Sequence, residues 1–308
     1  RIDLSVGSVA GLAGAVGGVL MVRWGINPGI SLIVVLTVGT AIGAFHGLLI
    51  GYFRMPMFVV TLSGMLIWRG VTLIILGRNT ITPFPASFLE VANGHLPGHE
   101  IELGWIRADA LIGAMIVWVL LLLVFLRSRP KKSRVERPRV KRPFRSDEGD
   151  SFRQQALRFG AIWAAAIMPV LLLGRHRGVP NPLLMAVLTF CFYWFVTTRT
   201  VLGRRLYATG SGARAAELSG INVNALVTMA YANNGFLAAL AGLFVAGRLN
   251  AATTKAGNYF EIDAIVACLA GGVSAAGGIG SIGGVFFGTL AMGLLNNGMS
   301  VVGVGGQE

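Results

Sequence analysis

Residues 28–53 read PGISLIVVLTVGTAIGAFHGLLIGYF, 26 residues without one Asp, Glu, Lys or Arg. A helix rising about 1.5 Å per residue needs about 20 apolar residues to cross the hydrocarbon of a bilayer. In lipid, a helix is also the state that satisfies the backbone of such a run internally. Gly39, Gly43, Gly47 and Gly51 recur four apart and stack on one face, where another helix backbone can approach closely. His46 stands beside that ridge. It is expected to be a hydrogen-bonded interior residue, because the sequence offers no obvious carboxylate at its depth for a proton relay.

Working outward, comparable apolar runs occupy residues 4–22, 55–76, 108–126, 159–174, 183–202 and 225–247. A broken, Gly-rich region at 262–302 makes one or two passes. The expected fold is all-α and polytopic, with about eight transmembrane helices. The alternating ten-residue segments of a membrane β-barrel are missing. Composition agrees: 54% of residues are hydrophobic and 13% charged, against about 25% charged in soluble domains. Cys191 and Cys268 lie inside apolar runs and read as small buried hydrophobes, not as a disulfide framework. No signal peptide is seen, and the chain reads as a piece of a longer protein.

The formal charge of +13 would point to nucleic acid in a soluble protein. Here 12 Lys or Arg and 4 Asp or Glu fall in residues 127–158, which interleave Pro with charge and have little apolar content. That composition makes a flexible cytoplasmic loop near anionic lipid headgroups, so lipid is the expected partner and nucleic acid is not. The organisation expected is an N-terminal transmembrane half at 1–126, this loop at 127–158, and a C-terminal transmembrane half at 159–308. The second basic stretch, with Arg199, Arg204, Arg205 and Arg214, also falls inside by the positive-inside rule.

Several chemistries are excluded. GIGSIG at 278–283 has the spacing of a dinucleotide fingerprint, but neither a preceding strand nor an acidic residue some twenty positions on. It reads instead as a broken or tightly packed intramembrane segment. No P-loop sequence occurs, so no ATP site of that type is expected, nor any cofactor. Pro97 and Gly98 between His95 and His99 argue against a helical zinc pair, and no metal site is expected. Asp3, Asp109, Glu261 and Asp263 read as helix-end carboxylates, which leaves neither catalytic residues nor the midplane ion site of a coupled carrier. Residues 2–11 match residues 262–271 at five of ten positions, Asp3 with Asp263 among them, as an inverted repeat would.

Two sets of residues carry the functional expectation. Ala213 to Leu218 can form a short helix with Arg214 and Glu217 at i, i+3, ended by Gly220; lying between two spans on the cytoplasmic side, it suits docking into a partner's groove. Asn233, Asn234, Asn296 and Asn297 are uncharged polar groups inside apolar runs. They can hydrogen-bond a polyhydroxyl solute or tie helices together. Phe58 and Thr61 join them as pathway candidates by position and polarity.

Over nearly its whole length the chain resembles the permease subunits of bacterial ABC importers for monosaccharides, the ribose and xylose group, and looks most like the xylose branch. The residues that carry the likeness are Ile2-Asp3-Leu4-Ser5-Val6-Gly7-Ser8, the run from Pro56 through Thr61-Leu62 to Arg69-Gly70, and Ala215-Ala216 with Leu218-Ser219-Gly220-Ile221. Gly277-Gly278 with Gly280-Ser281 and Asn297-Gly298-Met299-Ser300 continue it, and Arg177-Gly178-Val179-Pro180 with the long basic loop indicates the xylose branch. Three positions depart from the group: Gly212 stands for Asn, Glu217 for a basic residue and Asn296 for Asp. The resemblance implies a homodimer in the bacterial inner membrane, driven by cytoplasmic ATP-binding subunits and fed by a periplasmic sugar-binding protein. It implies D-xylose as solute, with ribose or galactose, or a secondary carrier or channel without ATPase, as alternatives. It implies one or more N-terminal helices and a final helix beyond this chain. Within the coupling segment 203–224 it assigns contact with the ATPase to Arg214, Ala216, Glu217, Leu218, Ser219, Gly220 and Ile221.

Overall fold

The computed structural model describes residues 2–77, 79–95, 102–103, 106–107 and 180–303. The expected spans at 108–126 and 159–174, the basic loop at 127–158 and His99 lie outside the described residues. The chain divides into two compact units, residues 1–93 with 188–308, and residues 94–187. In the second unit, β1 (Glu102–Leu103) pairs antiparallel with β2 (Ile106–Arg107). His95 and Pro180 form a bridge there, and the Asn181 N–H donates to the Gly94 carbonyl at 2.9 Å.

The first unit is helical. The local signals that start its helices are legible in the structure. α1 (Val6–Gly18) continues through a π-helical turn at Val19–Arg23. α2 (Pro28–Gly51) opens with proline at its first position and Asn27 Oδ1 accepting from the Gly29 N–H at 2.8 Å. α3 (Met57–Leu76) ends at Gly77, whose φ of 64° needs a residue without Cβ. α4 (Ala86–Asn93) is a short amphipathic piece. α5 (Asn181–Arg199), which begins in the second unit and enters the first at Leu188, is followed by α6 (Val201–Ser211), α7 (Ala213–Leu218), α8 (Val223–Leu249), α9 (Phe260–Ala270) and α10 (Ile282–Val302). Asn222 Oδ1 caps α8 and Ser281 Oγ caps α10.

Among the described residues, six helices are long and apolar enough to cross a membrane: α1 with its π turn, α2, α3, α5, α8 and α10. The run expected at 183–202 is shorter. Thr200 Oγ1 accepts from the Gly203 N–H at 3.3 Å, a side-chain cap that ends α5 and starts α6. Region 262–302 resolves into α9, 11 residues or about 16 Å, then a non-helical turn, then the 21 residues of α10.

The glycine ridge of α2 lies along α8 in antiparallel sense. Gly39 faces Gly235 and Ala239, Gly43 the Tyr231 carbonyl, Gly47 Thr228, and Gly51 Asn224. α1 runs parallel to α8: Gly242 abuts the Ala10 carbonyl, a Cβ on Gly14 would lie 3.4 Å from the Ala246 Cβ, and one on Gly18 3.2 Å from the Ala252 Cβ. Beyond Leu249 the chain is fastened to the loop after α3 by the Ile81–Ala252 bridge and by Phe84 N–H donating to Asn250 Oδ1 at 2.9 Å. Leu20, Met21, Leu76, Phe84, Phe88 and Leu243 fill the core at that end. The opposite end carries the end of α2, the starts of α3 and α8, and α7. Arg54 and Arg214 belong to this end, which the positive-inside rule makes cytoplasmic.

Candidate functional site

Depth follows from the ladder of contacts. Asn234 lies 11 residues from the start of α8, about 16 Å along its axis. The next residue, Gly235, faces Gly39, midway along α2. The Asn234 Nδ2 donates to Asp3 Oδ2 at 2.7 Å. The N-terminus of α1 therefore sits halfway through the bundle, and Asp3 is a helix-end carboxylate at mid-depth.

Around it four elements contribute to one polar network. Asp3 Oδ1 accepts from the Ser5 N–H at 2.9 Å and from the Ser5 hydroxyl at 2.7 Å. Ser5 Oγ lies 3.3 Å from His46 Nδ1, and the Trp68 indole N–H donates to His46 Nε2 at 3.2 Å. An indole nitrogen can only donate, so Nε2 accepts, the proton stays on Nδ1 facing Ser5, and the ring is neutral in this arrangement. Asp3, Ser5, His46 and Asn234 come together with Val6, Val9, Ile42, Gly43, Gly235 and Ala238 around one narrow crevice. Ser5 and His46 are buried. Gly64 leaves the room the imidazole occupies, since a Cβ there would lie 2.5 Å from Nε2.

The second helix terminus at this depth is that of α9. Gly7 stands against the Glu261 carboxylate and the Gly257 carbonyl, and Gly11 against the Ala256 carbonyl. From there α9 heads for the cytoplasmic end. The turn after it packs on α6, with Gly278 against Ser211 and the Tyr207 hydroxyl donating to the Gly280 carbonyl at 2.9 Å. α1 and α9 thus leave the middle of the bundle in opposite directions, with their N-termini side by side. The positive ends of both helix dipoles meet acids there, Asp3 for one and Glu261 and Asp263 for the other. The aligned aspartates play matching parts, since Asn296 Nδ2 donates to Asp263 Oδ2 at 3.2 Å.

The six pathway candidates occupy separate environments. Asn234 belongs to the network, and its neighbour Asn233 accepts from the Tyr193 hydroxyl of α5 at 2.5 Å. Asn296 ties α10 to α9. Thr61 is fully buried with its hydroxyl on the Met57 carbonyl at 3.0 Å. Phe58, 61% exposed, and Asn297 lie on outer faces. Trp68 and the mid-depth setting of Asp3 and Glu261 escape the sequence reading, in which Ser5 and Arg69 figure only in the resemblance and without a role. The available signal was Arg69, a cation inside an apolar run. Asn234→Leu should leave Asp3 Oδ2 without its donor among apolar neighbours and cost about 3 kcal/mol. The check is thermal unfolding of the detergent-solubilised protein, where Asn297→Leu on the exposed face should leave the midpoint unchanged.

At the cytoplasmic end α7 has two faces. Ala216 is buried against Ile50, Val60, Val223, Val227 and Tyr231, with Ala213 and Ile221 packed beside it. Its stop is a Schellman motif: Gly220, at φ 80°, donates to the Glu217 carbonyl at 2.9 Å, and the Ile221 N–H to the Ala216 carbonyl at 3.1 Å. Ser219 Oγ donates back to the Ala215 carbonyl at 2.9 Å. The outer face presents Leu218, 80% exposed, and the Arg214–Glu217 pair at 3.7 Å. That pair is solvent-exposed and contributes little to stability.

A membrane protein with these features finds its kin along its full length. The family described as branched-chain amino acid transport system / permease component matches residues 1–305, and the chain belongs to that family. It is 38% identical over 307 residues to the xylose transport system permease protein XylH of Escherichia coli (strain K12), spanning 99% of this chain and 72% of that protein. The XylH protein of Haemophilus influenzae is 35% identical over 305 residues, 99% of this chain and 76% of its own. The ribose import permease protein RbsC of Escherichia coli (strain K12) is 32% identical over 303 residues, 98% and 70%. No solved structure matches. The chain is a multi-pass inner-membrane permease component.

Proposed function

We propose that the chain is the membrane-spanning subunit of an ABC importer that moves a monosaccharide, D-xylose, into the cytoplasm. Cytoplasmic ATP-binding subunits supply the energy, a periplasmic sugar-binding protein delivers the solute, and two copies of the permease form the passage. The observation that carries the reading is α7: a small helix fixed to the bundle by Ala213, Ala216 and Ile221 that holds Arg214, Glu217 and Leu218 outward at the cytoplasmic end. A rigid coupling element of this kind passes a partner's movement into the helices it sits on, here α2, α3 and α8. The names of relatives at 38% and 35% identity favour xylose over the ribose of the 32% relative.

An ion-coupled carrier needs a midplane carboxylate free to take an ion. Asp3 and Glu261 are at that depth, but the Asp3 oxygens are engaged by Ser5 and Asn234, and the Arg69 guanidinium, 4.0 Å from Glu261 Oε1, opposes a cation there. The importer reading is tested by ATP hydrolysis in the reconstituted assembly. Binding protein loaded with D-xylose should stimulate hydrolysis more than the same protein loaded with ribose or galactose, whereas equal rates with and without sugar would refute it.

A further inference from the structure

The mid-depth polar groups fall into two sets. In the first, Asp3, Ser5, His46, Trp68 and Asn234 satisfy one another, so that set holds helices together and asks for no ligand. The second set is open. Arg69 Nη2 of α3 and Glu261 Oε1 of α9 lie 4.0 Å apart. The buried Arg69 Nη2, Glu261 Oε2 and Asn258 Oδ1 have no hydrogen-bond partner among the described residues. Glu261 keeps 7% of its side-chain exposure and Arg69 keeps 31%, so the pair is approached from the arginine's side. Buried polar atoms without partners are costly, and native proteins retain few of them without a use. These three stand where the N-termini of two oppositely directed helices meet, a setting that in transporters faces solute.

We propose that Arg69 and Glu261 are solute-contact residues, taking a neutral polyhydroxyl molecule through its hydroxyls at mid-depth. The inference rests on the importer reading and adds a site to it. A hydroxyl both donates and accepts, so one can donate to the Glu261 carboxylate while accepting from Arg69 Nη2. Charge-assisted bonds of this kind offset the hydration a sugar loses on leaving water. A solute carboxylate would meet the Glu261 carboxylate, and a bare cation would leave Arg69 Nη2 unmatched. Gly7 belongs to the site because a Cβ there would occupy the place of the Glu261 carboxylate.

The test measures D-xylose accumulated per ATP hydrolysed in proteoliposomes holding permease, ATP-binding subunits and sugar-loaded binding protein. Glu261→Gln and Arg69→Lys should lower that ratio about tenfold or more, with stimulated hydrolysis kept within about twofold of the unaltered protein. An unchanged ratio, whether both rates hold or both fall together, makes the pair structural and overturns the proposal. Competition of xylose uptake by L-leucine in the unaltered assembly overturns the choice of occupant. No ATP-dependent xylose uptake by the unaltered assembly removes the importer reading and this site with it, whereas an active assembly with indifferent variants removes only the site.

Discussion

Gly43→Leu is expected to abolish recovery of folded protein. Gly43 sits on the face of α2 that meets α8 backbone to backbone, and even a Cβ at that position would clash with the Tyr231 carbonyl oxygen and press on Ala232. Backbone cannot yield as the tip of a side chain can, so the two helices must part. Parting them separates Gly39 from Gly235 and Gly47 from Thr228 as well, because the ridge acts as one surface. Overpacking of a core costs about 1–3 kcal/mol where side chains can adjust. The cost here lies above that range and consumes much of the stability of a typical domain, about 5–15 kcal/mol. Fluorescence-detected size exclusion of the solubilised protein reads the outcome. Gly70→Ala on α3, where an added Cβ meets nothing within 4 Å among the described residues, should elute as the unaltered protein does.

Leu218→Asp should leave the fold intact and remove function. The side chain is 80% exposed, so its replacement disturbs no packing within the chain. In an ATPase groove it is the one large apolar group on the outer face of α7, the kind of anchor whose loss costs an interface about 2 kcal/mol or more. Stimulated ATP hydrolysis should fall by about thirtyfold or more on that basis. Gly220→Val should also weaken coupling, by a different route: φ of 80° is hostile to a β-branched residue, and the Schellman turn that sets the angle of α7 would open. Unaltered stimulation in both variants, with the protein folded, would show that this helix is not the coupling element.

The parts of the fold that could be read from the chain are those written in local period or local chemistry. Glycines four apart on α2 announce a close helix contact, and the contact with α8 is found there. Gly212 and Gly220 bracket α7, and the pairing of Arg214 with Glu217 follows from their spacing. What could not be read is depth. Asp3, Glu261 and Asp263 stand at helix ends in sequence, and an apolar run does not tell whether its end lies at a surface or in the middle of the bundle. The answer depends on long-range contacts, Asn234 with Asp3 and Gly7 with Glu261, for which no local pattern exists. His46 shows the consequence. Its expected hydrogen-bonded interior setting is what the structure has, yet the carboxylate judged missing at its depth is brought there by Ser5, through an element 41 positions away.

The pathway asparagines show the same limit in another form. Asn233 and Asn234 are adjacent in sequence, but successive helix positions turn about 100° and so face different neighbours. One meets Tyr193 and the other Asp3. Polarity alone identified both as unusual in an apolar helix and could not say which helix each would hold.

On the importer reading this permease moves a sugar with energy taken from ATP by its partners. Uptake of radiolabelled D-xylose into proteoliposomes containing the assembled importer, with sugar-loaded binding protein outside and ATP inside, tests it most directly. Uptake should require internal ATP, survive collapse of the membrane potential and be lost in Leu218→Asp. Uptake that proceeds without ATP and stops when the potential is collapsed would contradict that reading.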